Sequence, residues 1–356
     1  MSLTNLSILT FWPAMTPTAD ARTRHRPALS AGVLVAAVGA LAVVAVAAIC
    51  AGSTAIPVRV VLDSFVAFDP AVHEHVVVRG SRVPRTVAAL VAGAALGACG
   101  SLMQGVTRNP LADPGLLGVG AGSALLIAIG IHWFGVGSVS GYIWFALAGA
   151  ALASVAVYAV ASRGRGGPTP VKLTLSGAAF GLFLGAITSA VTLLDRETRY
   201  GFGFWSLGNV AIPSLDPVGA LAPFFLAGGL VALLSGRALN ALSLGDEVAS
   251  GIGMRTGRVR VVLAGGIVLL CGASTALVGP LTFVGLLVPF AARAVTGPDY
   301  RWLTPLAAVF GAVLVVAADI VGRLVVAPAE LNAGIVVAVV GAPAFIVLAR
   351  RSRMSL

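Results

Sequence analysis

Few residues in this sequence have the types and spacing that enzymatic chemistry requires. A nucleotide-binding loop needs a lysine directly after a glycine-rich turn, but the single lysine, Lys172, follows Val171. The nucleophile pattern GxSxG and the zinc pattern HExxH are also absent from the sequence. We therefore predict that the chain is not an enzyme, and that any ATP on which it depends is hydrolysed by a separate subunit.

His73-Glu74-His75 brings three potential metal ligands together. A metal site and a solvated external loop both explain this segment, and we expect the loop. The cysteines Cys50, Cys99 and Cys271 all lie in apolar runs without CxxC spacing, which predicts buried free thiols. We predict no metal site and no cofactor in this chain.

One ion pair is predicted within an apolar run. Asp319 and Arg323 are four residues apart, so they share one face of a helix. An ionisable group at membrane depth is costly and is therefore functional by default, which would fit an ion-coupled carrier. A structural pair near the helix end is the alternative that we favour, since nearly all other carboxylates fall in loops or at helix ends.

The elements that must position these residues are membrane helices. Of the 356 residues, 58% are hydrophobic and only 10% are charged, whereas soluble domains carry roughly 25% charged residues. The net charge of +10 does not indicate nucleic-acid binding, because the basic residues lie in short loops between apolar runs. The sequence predicts an all-α, polytopic membrane protein.

Apolar runs of about 20 residues, the length that spans a bilayer, recur along the chain. We predict a single transmembrane domain over residues 30–356 after an N-terminal tail at 1–29; a cleaved signal peptide is an alternative for the first run. The ten predicted helices cover 30–52, 85–106, 115–133, 141–162, 172–194, 217–237, 259–278, 281–296, 303–322 and 333–350.

Charge predicts the orientation. With ten helices both termini lie on one side, and the segments on that side carry 16 of the 23 Lys and Arg residues, against 7 on the other side. Cytoplasmic loops are enriched in Lys and Arg. We therefore predict both termini in the cytoplasm, and refer below to the predicted cytoplasmic side and the predicted external side.

Four segments, in order along the chain, resemble one family. They run from Arg82 to Gly118, from Leu244 to Gly253, from Phe283 to Arg301 and from Ala318 to Phe345. On these motifs the chain is similar to the FecCD-type permeases of type II ABC importers, which transport iron-siderophores, haem and cobalamin. Phe290 and Asn332 depart from the family pattern, so the ligand is not transferred in detail.

The resemblance implies a type II ABC importer permease fold in the bacterial cytoplasmic membrane. It implies a permease dimer, built from two copies or from two related permeases, with two ABC ATPase subunits and an external substrate-binding lipoprotein. A ferric-siderophore-type ligand is expected; haem or cobalamin import is the alternative, followed by ion-coupled secondary transport.

By the same resemblance, residues 243–257 form the loop that couples the permease to the ATPases. This segment is polar and lies on the arginine-rich side, and its glycines should divide it into short helices; an ordinary connecting loop is the alternative. The expected coupling residues are Leu244, Gly245, Asp246, Glu247, Ala249, Gly251 and Gly253.

On the predicted external side, Arg82, Arg85 and Arg323 resemble the arginines with which the family docks its binding protein. The planar guanidinium group suits this role because it pairs with carboxylates through two hydrogen bonds. The alternative is that these arginines anchor helix ends.

The predicted translocation path has two parts. Gly177, Gly181 and Gly185 form a smooth stripe, which indicates either close helix packing or a face on the path. Interrupted backbone at the start of the third helix must be buried in protein or line a cavity. The candidate path residues outside the stripe are Gln104, Asn109, Pro110 and Pro114.

Overall fold

The computed structural model describes residues 27–52, 54–163 and 170–353, and in these ranges every regular element is helical. The predicted N-terminal tail therefore lies outside the described residues up to position 26. The helices are α1 (Pro27–Cys50), α2 (Val58–Val66), α3 (His73–Val77), α4 (Val83–Thr107), α5 (Val119–Phe134), α6 (Val139–Ala161), α7 (Pro170–Thr192), α8 (Arg196–Ser206), α9 (Asp216–Leu234), α10 (Gly236–Ser243), α11 (Asp246–Gly251), α12 (Thr256–Val278), α13 (Val284–Thr296), α14 (Tyr300–Val325) and α15 (Ala333–Arg353).

The ten predicted helices correspond one by one to α1, α4, α5, α6, α7, α9, α12, α13, α14 and α15. Within the described ranges, seven helical segments are long and apolar enough to cross a membrane, and three shorter apolar helices, in α5, α13 and α15, accompany them. The chain is therefore a multi-pass membrane protein, with ten as an approximate helix count.

The loops hold more structure than the sequence predicted. The predicted loop 53–85 contains α2, α3 and a π turn at Val78–Arg82 that runs directly into α4. The prediction of a solvated loop at residues 73–75 is wrong for His75, which is buried and accepts a hydrogen bond through Nδ1 from the backbone N–H of Asp69 at 3.2 Å. Phe68 stacks on the same ring. Apolar residues around His75 are buried, and their burial holds the segment that contains α2 and α3 against the bundle.

The centre of the bundle is α4, which packs against α12, α13 and α14. At its crossing with α14 the two backbones touch. A Cβ added at Gly93 would overlap the carbonyl oxygen of Gly311, and one added at Gly97 would overlap that of Ala307. Small residues allow such close approach in membranes, where packing rather than water exclusion joins helices. This crossing fixes the distance between α4 and α14.

The outer helices have a different character. Large apolar side chains on α1, α7 and α9 are exposed in the single chain, among them Val35, Leu182, Phe183, Leu226 and Leu230. A bilayer covers such surfaces without cost. The well-packed helices are therefore α4, α12 and α14, and α1, α7 and α9 lie around them.

Candidate functional site

An ion-pair network lies at the predicted external ends of α4 and α14. The Arg85 guanidinium contacts Asp319 Oδ1 through Nε at 2.8 Å and through Nη2 at 2.7 Å, and its Nη1 lies 2.5 Å from Glu330. Arg323 Nη2 lies 3.0 Å from the second oxygen of Asp319. The predicted pair between Asp319 and Arg323 is confirmed. It belongs to a network of four charged side chains, of which Glu330 is the most exposed.

The same network holds the end of α1. Arg82 and Arg323 donate to backbone carbonyl groups that have no partner within the helix, as at every helix C-terminus. Arg82 donates to the carbonyl oxygens of Ile49 and Cys50, both at 2.7 Å, and to that of Thr54. Arg323 donates to the carbonyl oxygens of Ala48 at 2.9 Å and Ala51 at 2.7 Å. Two arginines therefore tie α1 to α4 and α14.

These contacts bear on the predicted docking arginines. Arg82, Arg85 and Arg323 are all buried, and their guanidinium groups bind atoms of this chain. This geometry favours the alternative in which they anchor helix ends. The docking role stays a prediction, and it requires an incoming carboxylate to reach Arg85 beside Glu330.

On the predicted cytoplasmic side, one carboxylate joins three elements. Asp246, the first residue of α11, accepts from Arg260 Nη2 at 2.9 Å and 2.8 Å through its two oxygens. It also pairs with Arg108 Nη2, at the end of α4. The sequence did not predict this contact, because Arg108 and Asp246 belong to different motifs and are 138 positions apart. Their opposite charges were the only signal.

The segment around α11 has two faces. Leu244, Val248 and Ile252 are spaced by four residues and are 69%, 48% and 69% exposed. We call these three residues the apolar stripe. Ala249, the residue after Val248, is fully buried, so a bulky residue there would first disturb the packing of this chain. Gly251 and Gly253 are exposed.

A second network holds the neighbouring helix α10. Asn240 donates to Asp299 Oδ1 at 2.6 Å and accepts from the backbone N–H of Tyr300 at 2.9 Å. The hydroxyl of Tyr300 accepts from Arg293 at 2.9 Å. The loop between α9 and α12 is thus tied to α14 through α10, and to α4 and α12 through Asp246.

The candidate path residues divide into buried and exposed ones. Gln104 is buried and donates through Nε2 to the carbonyl oxygen of Leu286 at 3.1 Å, which ties α4 to α13. Pro114 is buried and would meet a Cβ added at Gly285. Asn109 and Pro110 are exposed just after α4, on the predicted cytoplasmic side. Their role on a path stays a prediction.

The glycine stripe of α7 is open in the single chain. A Cβ added at Gly181 or Gly185 would meet no atom within 4 Å, whereas Gly177 is buried. Close packing within this chain therefore does not explain the outer part of the stripe. Two explanations remain for these glycines: they line the translocation path, or they contact another chain.

A hydrogen-bonded cluster fixes α8 on the predicted external side. Asp195 caps α8 by accepting from the Thr198 N–H and hydroxyl, both at 2.7 Å, and its second oxygen contacts His132 at the end of α5. The bonds from Thr198 and the contact with His132 lower the pKa of Asp195 to about 2. The carboxylate is therefore ionised over the whole physiological range, which keeps α8 attached to α5.

The remaining chemistry-bearing residues form no further site. Cys99 and Cys271 are buried free thiols, as predicted, whereas Cys50 is only partly buried. In the described ranges, no group of three or more His, Cys, Asp or Glu side chains could hold a metal ion.

Comparison with known proteins agrees with this architecture. Residues 40–351 match the FecCD transport family. The chain is 42% identical over 300 residues to the ferric enterobactin transport system permease protein FepD of Escherichia coli, covering 84% of this chain and 89% of that protein. It is 38% identical over 308 residues to the probable siderophore transport system permease protein YfiZ of Bacillus subtilis, covering 85% and 92%.

A solved structure extends the comparison to the fold. A chain described as an inward-facing conformation of a metal-chelate type ABC transporter aligns with a TM-score of 0.78 and 25% identity, over 90% of this chain and 99% of that one. The family match and these relatives cover most of the sequence. The chain belongs to the FecCD transport family and is a polytopic membrane permease.

Proposed function

We propose that this chain is the permease subunit of an ABC importer that moves a ferric-siderophore-type ligand from an external binding protein to the cytoplasm. The proposed complex holds two permeases, identical or related, two ATPase subunits that supply the energy, and the binding protein. The names of FepD and YfiZ, which concern ferric enterobactin and a siderophore, support this ligand class.

One observation carries the energy-coupling part of the proposal. The apolar stripe is exposed in the single chain, on a segment that lies between membrane helices α9 and α12 on the predicted cytoplasmic side. Exposed apolar patches outside the bilayer mark interaction sites. Leu244 lies just before the turn at Gly245, and Val248 and Ile252 lie in α11 and at its end, so the three side chains form one exposed apolar patch on this segment. We take the partner that binds this patch to be the ATPase.

The stripe is tested by placing a charge in it. Val248→Asp should lower the amount of ATPase that copurifies with the permease, because an ionised side chain would be buried at the contact. Val66→Asp is the matched control, since Val66 is an exposed valine in α2 on the predicted external side. Unchanged copurification of Val248→Asp would refute this contact.

The transport activity is tested in proteoliposomes that contain the permease, its ATPase and its binding protein. Uptake of the radiolabelled ferric siderophore should require ATP and should be insensitive to ionophores. Uptake by the permease alone along an ion gradient would favour the secondary carrier. Binding of ferric siderophore, haem and cobalamin by the cognate binding protein separates the ligand classes.

The open glycines of α7 support a second permease as neighbour. A Gly181→Cys variant in a background without the three native cysteines should form a disulfide-linked dimer under mild oxidation.

Orientation is tested with a C-terminal fusion: a green fluorescent protein there should fluoresce if both termini are cytoplasmic.

A further inference from the structure

The coupling segment, residues 243–257, is attached to the rest of the chain mainly by the side chain of Asp246 and less by apolar contacts. Among the described residues, α11 packs on α10 and on the start of α12, and Ala249 supplies its buried methyl group. Asp246 adds ion pairs to Arg260 on α12 and to Arg108 at the end of α4. The carboxylate therefore lies behind the apolar stripe, between that stripe and two long helices.

Backbone geometry holds Asp246 in this place. Gly245, directly before it, has φ = +117°, which residues with a side chain rarely adopt. The turn at Gly245 separates α10 from α11 and directs the first residue of α11 toward α4 and α12. Arg108 itself has φ = +51° in the left-handed region, unusual for a residue other than glycine. The ion pair thus joins Arg108, in the left-handed region, to the residue that directly follows a glycine of positive φ.

The helix that receives this contact reaches the other side of the membrane. With 25 residues, α4 is roughly 37 Å long. Arg108 follows its cytoplasmic end, and Arg85 lies in its first turn, paired with Asp319 and Glu330. Ion pairs thus attach both ends of α4 to other elements.

We propose that Asp246 is the positioning residue that passes a displacement of the apolar stripe to α4 and α12. This inference rests on the proposed function, because it takes the stripe as the ATPase contact. When the stripe moves, Asp246 moves Arg260 and Arg108 with it, and α4 carries the motion toward Arg85. Without the carboxylate, α11 can shift on its glycine hinges while α4 stays in place.

The experiment uses the complete reconstituted complex and measures ATPase activity with and without ligand-loaded binding protein. Asp246→Asn should lower the ratio of stimulated to basal activity by about two- to thirtyfold, the range expected for residues that couple two sites. The ATPase should still copurify with the Asp246→Asn permease, because the apolar stripe is intact. Asp63→Asn is the matched control: it removes an exposed carboxylate outside the coupling segment, 4.0 Å from Arg59, and should leave the ratio unchanged.

Arg260→Gln completes a double-mutant cycle. If Asp246 acts through Arg260, each single variant should lower the stimulation ratio, and the double variant should be little worse than Asp246→Asn alone. Asp246→Glu retains the charge and should restore most of the ratio. If Asp246 only stabilised the fold, its variants would change the thermal stability of the complex and leave the ratio of stimulated to basal ATPase activity unchanged.

The outcomes separate the two proposals. An Asp246→Asn complex that keeps the wild-type ratio, or fully additive effects in the cycle, would overturn the inference. Loss of ATPase copurification in Asp246→Asn would also overturn it, because the residue would then belong to the docking surface. Should Asp246→Asn fail to insert, Arg260→Gln carries the same test. Absence of ATP-dependent uptake in the wild-type complex would instead refute the proposed function.

Discussion

Replacement of Asp319 by asparagine removes the only carboxylate that lies between two buried arginines on the predicted external side, among the described residues. Asp319 is 1% exposed and contacts Arg85 and Arg323. The amide keeps the shape of the side chain and loses its charge. We expect the variant to destabilise the bundle where α1, α4 and α14 meet.

The magnitude follows from the partners that remain. Removing one member of a buried ion pair costs about 3–5 kcal/mol when the other charge is left uncompensated. Here Arg85 keeps Glu330, and Arg323 keeps the carbonyl oxygens of Ala48 and Ala51. We therefore expect the lower end, about 3 kcal/mol, which corresponds to a fall in the melting temperature of roughly 4 °C for a chain of 356 residues.

The native cysteines provide the assay. Because Cys99 and Cys271 are buried whereas Cys50 is partly exposed, the assay uses a Cys50→Ala background. A thiol-reactive dye then labels the protein only as the bundle opens, so dye fluorescence against temperature in detergent gives the melting temperature. Asp63→Asn is the control: the Arg59–Asp63 pair is 4.0 Å apart and exposed, and exposed pairs contribute only about 0.5 kcal/mol.

Two results would contradict this reasoning. If Asp319→Asn melts within about 1 °C of the wild type, the charge of Asp319 does not stabilise the helix ends. If Asp319→Asn melts normally but the binding protein docks less tightly, the network serves docking in the first place. The second result would restore the role that the resemblance assigned to the arginines.

Three further predictions concern other parts of the bundle. Gly97→Ala should lower the melting temperature, since its methyl group would overlap the backbone of α14, whereas Gly181→Ala, in open space, should not. Arg82→Glu should lower the melting temperature too. It should weaken docking of the binding protein in a salt-dependent way only if Arg82 also contacts that protein, and binding measured at two salt concentrations tests this. The ionised Asp195 stabilises α8 fully at pH values above the pKa of an unfolded aspartate, near 4, and this stabilisation is lost as the pH falls through about 2. Tryptophan fluorescence should report the loosening of α8. Asp195→Asn should abolish this pH dependence.

Secondary structure and fold were largely predictable because each helix must be long and apolar enough to cross the bilayer. The runs that became α4 and α12 were predicted within about three residues of their observed ends. The third predicted helix was less regular: Pro114–Leu117 is a 3₁₀ turn, and α5 begins only at Val119. Proline and two glycines in this stretch indicated an interruption without indicating its form.

The polar networks were not predictable, because they join residues that are far apart in the chain. Arg85 and Asp319 are separated by 234 positions and Arg108 and Asp246 by 138. Only the pair Asp319–Arg323, four residues apart, follows from helical periodicity. Arginine in a helix end near the membrane surface suits docking and anchoring equally well, so sequence alone left both roles open for Arg82.

The way α4 is held constrains how the permease can move. Ion pairs at both ends fix its position relative to α14 and to the coupling segment, and backbone contacts at Gly93 and Gly97 fix its distance from α14. A helix attached in this way moves together with its neighbours, because packed interfaces shift as units rather than deform. Relative motion must then occur where attachments are fewest. The glycine face of α7 meets that condition, since a Cβ at Gly181 or Gly185 contacts no described atom of this chain, so α4, α12 and α14 should move as one body relative to the chain that covers that face.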